Sequence, residues 1–307
     1  MEKVIVVIGP TSVGKTKMGV ALAKKFNGEV ISGDSMQIYK QMDIGTAKVT
    51  EEEKEGIIHH CVDILNPDET YSVHDFQQTV RKKITEITQR GHVPIIVGGT
   101  GLYIKAALYD YQFDEMENDH HAINEKYKDY TNEQLHDHLK SIDEESAKIL
   151  HFNNRRRVLR AIEIYETTGK RKSEMLEEQE HICLYDAYFV GLTLPRDVLY
   201  ERINKRVEVM MENGLKEEME RLYSQGLTRN HQSMKAIGYK EWFDYYDHQI
   251  DLNDVLELIK KHSRQYAKRQ YTWFKNQFDV HWYDVNLENF EQTIEQVTDD
   301  IEKILKV

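Results

Sequence analysis

The apolar run Val4-Ile-Val-Val-Ile8 leads directly into Gly9-Pro-Thr-Ser-Val-Gly-Lys-Thr16. No other stretch of the chain restricts its fold as strongly. The run reads as a buried strand, and residues 17–26 read as the helix that follows the loop. Strand, glycine-rich loop with a Lys-Thr pair, and helix together make the P-loop pattern. In such a loop the backbone of Gly9, Pro10, Thr11, Ser12, Val13 and Gly14 curls around a phosphate. The following helix aims its positive end at the same anion. Lys15 adds a point charge, and the Thr16 hydroxyl can hold a magnesium ion that bridges phosphate oxygens. A plain tight turn between strand and helix explains the glycines but not the Lys-Thr pair. A phosphate-bearing ligand is therefore expected.

The same rhythm continues through the first hundred residues. Segments 30–32, 60–65 and 94–97 are rich in β-branched residues and bounded by Gly, Pro or Asp, as strands are. Between them, 73–90 has the period of an amphipathic helix and is closed by Gly91. This alternation predicts an α/β fold, a parallel sheet with helices on its faces. Gly98-Gly-Thr-Gly101 makes a second glycine-rich strand-to-helix turn, with a helix expected near Leu102. Both turns then lie at the carboxyl edge of the sheet, where open α/β sheets bind ligands.

At 307 residues the chain exceeds the usual size of one domain. From 111 to 150 it is polar and acidic, with helical patterns at 132–141 and 144–150, and reads as a small helical insertion. The core is then expected in 1–110 and 151–307. Its later part offers a strand at 187–194, one long helix at 196–223, another at 252–274, a strand at 281–285 and a closing helix at 287–305. No run approaches the roughly 20 apolar residues of a membrane span. The first residues lack the charged-then-apolar pattern of a signal peptide. Cys61 and Cys183 are isolated and suggest neither a zinc site nor a disulfide framework. A cytoplasmic protein is expected, without a membrane partner, and a monomer by default. The net charge of −12 argues against non-specific coating of nucleic acid, but a local basic surface can still hold an RNA.

Asp34-Ser-Met-Gln-Ile-Tyr39 begins just after the second strand. A carboxylate there can orient magnesium through water or act as a general base beside the phosphate ligand. An N-cap or Asx turn explains an Asp-Ser pair equally well. No later apolar run ends in Asp-Glu, so a motor or hydrolase is poorly represented.

These blocks, with Asp43-Ile-Gly-Thr-Ala-Lys48, His59-His60 and Gly98-Gly-Thr-Gly-Leu-Tyr103, resemble the bacterial tRNA dimethylallyltransferase family in order and spacing. The resemblance continues through Arg156-Arg-Val-Leu-Arg-Ala161, Thr168-Gly-Lys170, Ala236-Ile-Gly-Tyr-Lys-Glu241 and Arg264-Gln-Tyr-Ala-Lys-Arg-Gln270, so it covers nearly the whole chain. Asp143-Glu144, Phe152-Asn153-Asn154 and Lys235 depart from the family's usual residues, all of them outside the P-loop and Asp34.

The resemblance implies transfer of a dimethylallyl group from dimethylallyl diphosphate to the exocyclic amino group of an adenine. That adenine lies 3′ of the anticodon in tRNAs that read codons beginning with U. The P-loop, with magnesium on Thr16, would then hold the diphosphate leaving group rather than ATP. Asp34 would accept the amino proton. Thr100 would help hold the diphosphate or orient the reacting centre. Arg206 would be a further diphosphate clamp, although a surface helix arginine fits as well. The adenine must leave the anticodon loop to react. Ser35, Met36 and Gln37 could read it, with Met36 equally suited to the core and Gln37 the real edge-reader. Arg156, Arg157, Val158, Leu159 and Arg160 form the block implied to grip the anticodon stem-loop. Arg264 and Lys268, with Tyr271, would line an RNA channel, and Arg269 and Trp273 would pack inside. His59-His60 reads as packing or RNA contact. The competing classes are a small-molecule kinase, a prenyltransferase of free adenine nucleotides, and an RNA-binding module switched by nucleotide.

Overall fold

The computed structural model describes residues 1–111, 120–177 and 181–305. Of the expected insertion, residues 112–119 lie outside the described residues. Strands β1 (Lys3–Ile8), β2 (Gly28–Ser32), β3 (His59–His60), β4 (Val93–Gly98), β5 (Asp186–Thr193) and β6 (His281–Asp284) form one parallel sheet in the order β3-β2-β4-β1-β5-β6. Ile5 stands beside Ile95 of β4 and beside Tyr188 of β5. Such a sheet is covered on both faces, which is why its strands read as continuous apolar runs.

The side chains of β1 divide between the two faces by simple alternation. Val4, Val6 and Ile8 enter one core layer, while Ile5 and Val7 enter the other. The first layer takes the apolar stripes of α3 (Val73–Gln89) and α4 (Gly101–Leu108). The second takes those of α1 (Lys15–Lys25) and α14 (Phe290–Leu305). The short α2 spans Glu51–Lys54. Because β1 feeds a helix on one face and β4 a helix on the other, the chain diverges between these two strand tips. That is a topological switch point, where such sheets leave a crevice.

The chain divides into two compact units, Met1–Tyr109 with Cys183–Val307, and Asp110–Ile182. The smaller unit therefore runs to 182 rather than 150. Its helices are α5 (His120–Lys126), α6 (Asn132–Ile142), α7 (Glu144–Ile149), α8 (Arg155–Thr168) and α9 (Lys172–Glu177). Val158, Leu159, Ala161 and Ile162 of α8 pack with Leu135 and Leu139 of α6, so α8 belongs to this unit's own core.

The expected helix at 196–223 is two, α10 (Arg196–Glu212) and α11 (Leu215–Ser224). Gly214 between them has φ +96°, a left-handed conformation that glycine adopts without strain. A short α12 (Trp242–Tyr246) precedes the long α13 (Leu252–Gln277), which opens on a reciprocal Asp251–Asp254 capping box. The expected strand at 60–65 ends after His60, where Cys61 (φ +61°) and Asp63 (φ +55°) turn the chain away. Among the described residues no helix is long and apolar enough to cross a membrane.

Candidate active site

A cleft of about 830 Å³ opens at the carboxyl edge of the sheet in the larger unit. It gathers Lys15, Thr16, Asp34 and Arg206 on one site, joined by Tyr266 and Gln270 of α13. The P-loop enters it after β1. Gly14, at φ +104°, turns the backbone into α1, and a Cβ there would come within 2.8 Å of the Phe290 ring. Only glycine suits both demands.

The loop is not all open to a ligand. Val13 is fully buried, so only its backbone can serve. The Thr11 N–H donates to Gln270 Oε1 at 3.0 Å, and the Pro10 carbonyl accepts from Lys15 Nζ at 2.7 Å. Arg202 Nε donates to the Ser12 carbonyl at 3.0 Å. Ser12 itself is left-handed at φ +67°, and its buried Oγ has no hydrogen-bond partner among the described residues.

Gln270 also donates through Nε2 to the Gly99 carbonyl at 3.0 Å, so one buried amide joins both glycine-rich turns. A Cβ on Gly99 would lie 2.2 Å from that nitrogen. The second glycine-rich turn thus closes on α13.

Asp34 is half-buried in the cleft wall, and its Oδ1 accepts the Met36 N–H at 2.8 Å. The Asx turn is real, yet it uses one of about four acceptor positions on the carboxylate. Burial raises the Asp34 pKa, opposed by the Met36 and Gln37 amides, Lys15 and Arg206. Burial likewise pulls Lys15 down to about 7, with the Arg206 charge pushing the same way and Asp34 opposing. Arg206 is lowered by burial and by Arg202, against Glu53 and Asp34. It stays charged in any case. Two crowded cations in a poorly solvated cleft form a site that an anion relieves.

Several expected residues take other places. Thr100 Oγ1 accepts the Ser35 N–H at 3.1 Å and donates to Ser35 Oγ at 3.3 Å, so it holds the segment beside Asp34. Gln37 turns its amide inward: Oε1 accepts from Ser32 Oγ, and Nε2 points at the carbonyls of Thr46 and Ala47 at 3.3 and 3.4 Å. Its edge-reading groups are thereby engaged within the chain. Ser35, Met36 and Gln37 all line the cleft. Arg264 is tied to Asn204 of α10, and Lys268 is exposed on a shallow groove with Trp273. Arg269, expected inside, is exposed and lies over the Tyr266 ring, while Trp273 is half-buried. Tyr271 packs against Trp282.

In the smaller unit, Val158 and Leu159 are core residues and offer no side chain to an RNA. Helical geometry forces this split, because the apolar stripe and the arginines occupy different faces. Arg156 and Arg157 are exposed. Arg160 pairs with Glu163 at 2.7 Å, and Arg155 caps the Tyr127 and Tyr130 carbonyls. His60 meets buried Glu29 at 2.6 Å, a packing role, with Arg90 on the same carboxylate.

Sequence reasoning passed over Arg202, Tyr266 and Gln270. Arg202 stands one helical turn before Arg206, a spacing that puts both on one face. The other two lie on the helix face that carries Arg269, and nothing local distinguishes a polar residue that will be buried.

A sequence model of the IPP transferase family matches residues 37–277. A tRNA dimethylallyltransferase of Bacillus cereus (strain AH187) is 54% identical over 287 residues, covering 92% of this chain and 90% of its own. The crystal structure of a tRNA delta(2)-isopentenylpyrophosphate transferase from Staphylococcus epidermidis is 47% identical with a TM-score of 0.74, covering 99% of both chains. A eukaryotic dimethylallyltransferase acting on tRNA is 32% identical with a TM-score of 0.86, covering 99% of this chain and 79% of that one.

Proposed function

The chain belongs to the IPP transferase family, and we infer that it transfers a dimethylallyl group from dimethylallyl diphosphate onto tRNA. The acceptor is the exocyclic amino group of the adenine 3′ of the anticodon, in tRNAs reading codons that begin with U. The observation that carries this reading is the meeting of a P-loop and a half-buried carboxylate in one cleft.

The amino nitrogen attacks the allylic carbon, the carbon–oxygen bond to diphosphate breaks, and one amino proton must leave. Asp34 would accept that proton, and its raised pKa makes it a better base than an exposed aspartate. Lys15 and Arg206 stabilise the charge gathering on the departing diphosphate. The Thr16 hydroxyl, with diphosphate oxygens, would offer magnesium the hard oxygen donors it prefers. When bound, the ion adds positive charge at the leaving group. No cluster of three or more His, Cys, Asp or Glu competes for a metal among the described residues. Ser35 and Met36 border the space open to the adenine. Arg156 and Arg157 offer exposed charge to RNA phosphates.

Incubation with dimethylallyl diphosphate and unmodified tRNA is expected to yield prenylated adenine and free diphosphate. ATP consumption without a prenylated product overturns the reading in favour of a kinase. Equal rates with AMP and with an anticodon stem-loop overturn the choice of acceptor.

A further inference from the structure

Glu218 of α11 is only 2% exposed and pairs with no Lys or Arg among the described residues. Burying a carboxylate without a cation is costly unless hydrogen bonds replace the lost water. Here four do so. Oε2 accepts the backbone N–H of Asp43 and of Ile44, each at 2.9 Å. Oε1 accepts the Gly45 N–H at 3.1 Å and the Tyr239 hydroxyl at 2.6 Å. The carboxylate also sits in the first turns of α11, where the helix end favours negative charge.

These four donors come from two segments of the cleft wall. One is the loop that continues from Gly45 to Thr46 and Ala47, whose carbonyls hold the Gln37 amide beside Asp34. The other is the turn around Tyr239, whose neighbours Ala236, Ile237 and Lys240 also line the cleft. That turn is fixed a second time: buried Glu241 accepts the Gly238 N–H at 2.9 Å and meets His262 of α13 at 2.7 Å. Glu218 takes no part in the P-loop contacts made by Gln270 and Arg202.

We propose that Glu218 is a positioning residue of the transfer reaction: it locks both segments of the acceptor side of the cleft, the 43–47 loop that backs Gln37 beside Asp34 and the 236–240 turn, and so shapes the wall against which the adenine sits. The proposal rests on the prenyl-transfer reading above. Failure of that reading is seen in the unaltered enzyme, which would then form no prenylated adenine.

The test compares E218Q, E218D and Y239F by steady-state kinetics, varying donor and tRNA separately, with folding checked by circular dichroism. The E218Q amide must turn an NH2 group toward backbone N–H donors. Its kcat/KM for tRNA is expected to fall about tenfold or more. The KM for dimethylallyl diphosphate should stay within about twofold, because the P-loop side is untouched. E218D keeps the charge and should recover part of the loss. Y239F removes one of four bonds, keeps the fold, and should lower the same parameter by about threefold to tenfold. A lowered melting temperature with both substrates' kinetics unchanged overturns the proposal, as does a donor KM that rises as much as the tRNA KM. If E218Q does not fold, Y239F decides: an unchanged kcat/KM for tRNA overturns the proposal.

Discussion

The proposed diphosphate side of the cleft grows mainly from one contiguous stretch, residues 9–16, with Arg206 added from α10, whereas the acceptor side joins segments far apart in the chain. Asp43 and Glu218, which meet there, are 175 residues apart in sequence. On the first side the backbone itself makes the site, so the residues that matter announce themselves as a motif. On the second, buried side chains hold loops whose own sequences carry little signal. An anion can be met by amides and a helix end, which are local, but a shaped pocket for a base needs walls from several elements. Asp34, the proposed base, lines the same cleft as both constructions.

Removing Asp34 tests that division with the largest effect. D34N keeps the shape and the Met36 contact but loses the base, and transfer should fall by about 10²–10⁴. KM for both substrates should move little, as measured by single-turnover and steady-state assays with tRNA and donor. If either KM rises by more than a few fold, Asp34 belongs to one wall and not to the chemistry between them.

Lys15 sharpens the diphosphate side next. K15M removes one preorganised charge and should cost about 10²–10³ in turnover. The pH profile gives a finer readout. The amine must be protonated to greet diphosphate, and its pKa in the free enzyme is held down to about 7. Donor kcat/KM should therefore fall as pH rises above about 7. Asp34 must be ionised to accept a proton, so its raised pKa places a loss on the acid side. The free-enzyme profile is thus bell-shaped, and K15M should lack the alkaline limb. Bound diphosphate restores the lysine charge, so kcat alone should not show that limb.

Q270L asks whether the P-loop is as self-sufficient as its motif suggests. It removes the acceptor of the Thr11 N–H and the donor to Gly99 while keeping bulk. Donor KM should rise by about tenfold, with tRNA KM nearly unchanged, by the same two-substrate kinetics. An equal rise in both would show that α13 serves the whole cleft and that the two sides are one unit.

What the sequence made legible follows the same line. The strands β1, β2, β4 and β5 and the P-loop were readable because apolar runs and glycine spacing are local. The break at Gly214 was not, since the amphipathic period continues across it from Val207 to Leu215 and Met219. Glu218 reads as one of two adjacent surface glutamates, Glu217 and Glu218, until tertiary packing buries one. The inward turn of Gln37 depends on carbonyls at 46 and 47, placed by a left-handed Ala47 that no propensity requires. In α8 the pattern 158, 159, 161, 162 marks a buried face but not the body into which it packs.

The smaller unit supplies the mildest test, because its arginines differ only in their partners. Arg157 is exposed with no carboxylate partner among the described residues, whereas Arg160 is already neutralised by Glu163. An RNA phosphate gains most from a cation that has no competing anion, so R157A should weaken tRNA binding more than R160A. The expected loss is several-fold for R157A, with the slope of log affinity against log salt reduced by about 0.7 per lost contact. Filter binding or anisotropy over a salt series measures both quantities. Equal effects of the two variants would mean that Glu163 releases Arg160 when RNA binds; no effect from either would remove α8 from the RNA surface. Neither variant should alter donor KM, since α8 packs into the core of its own unit.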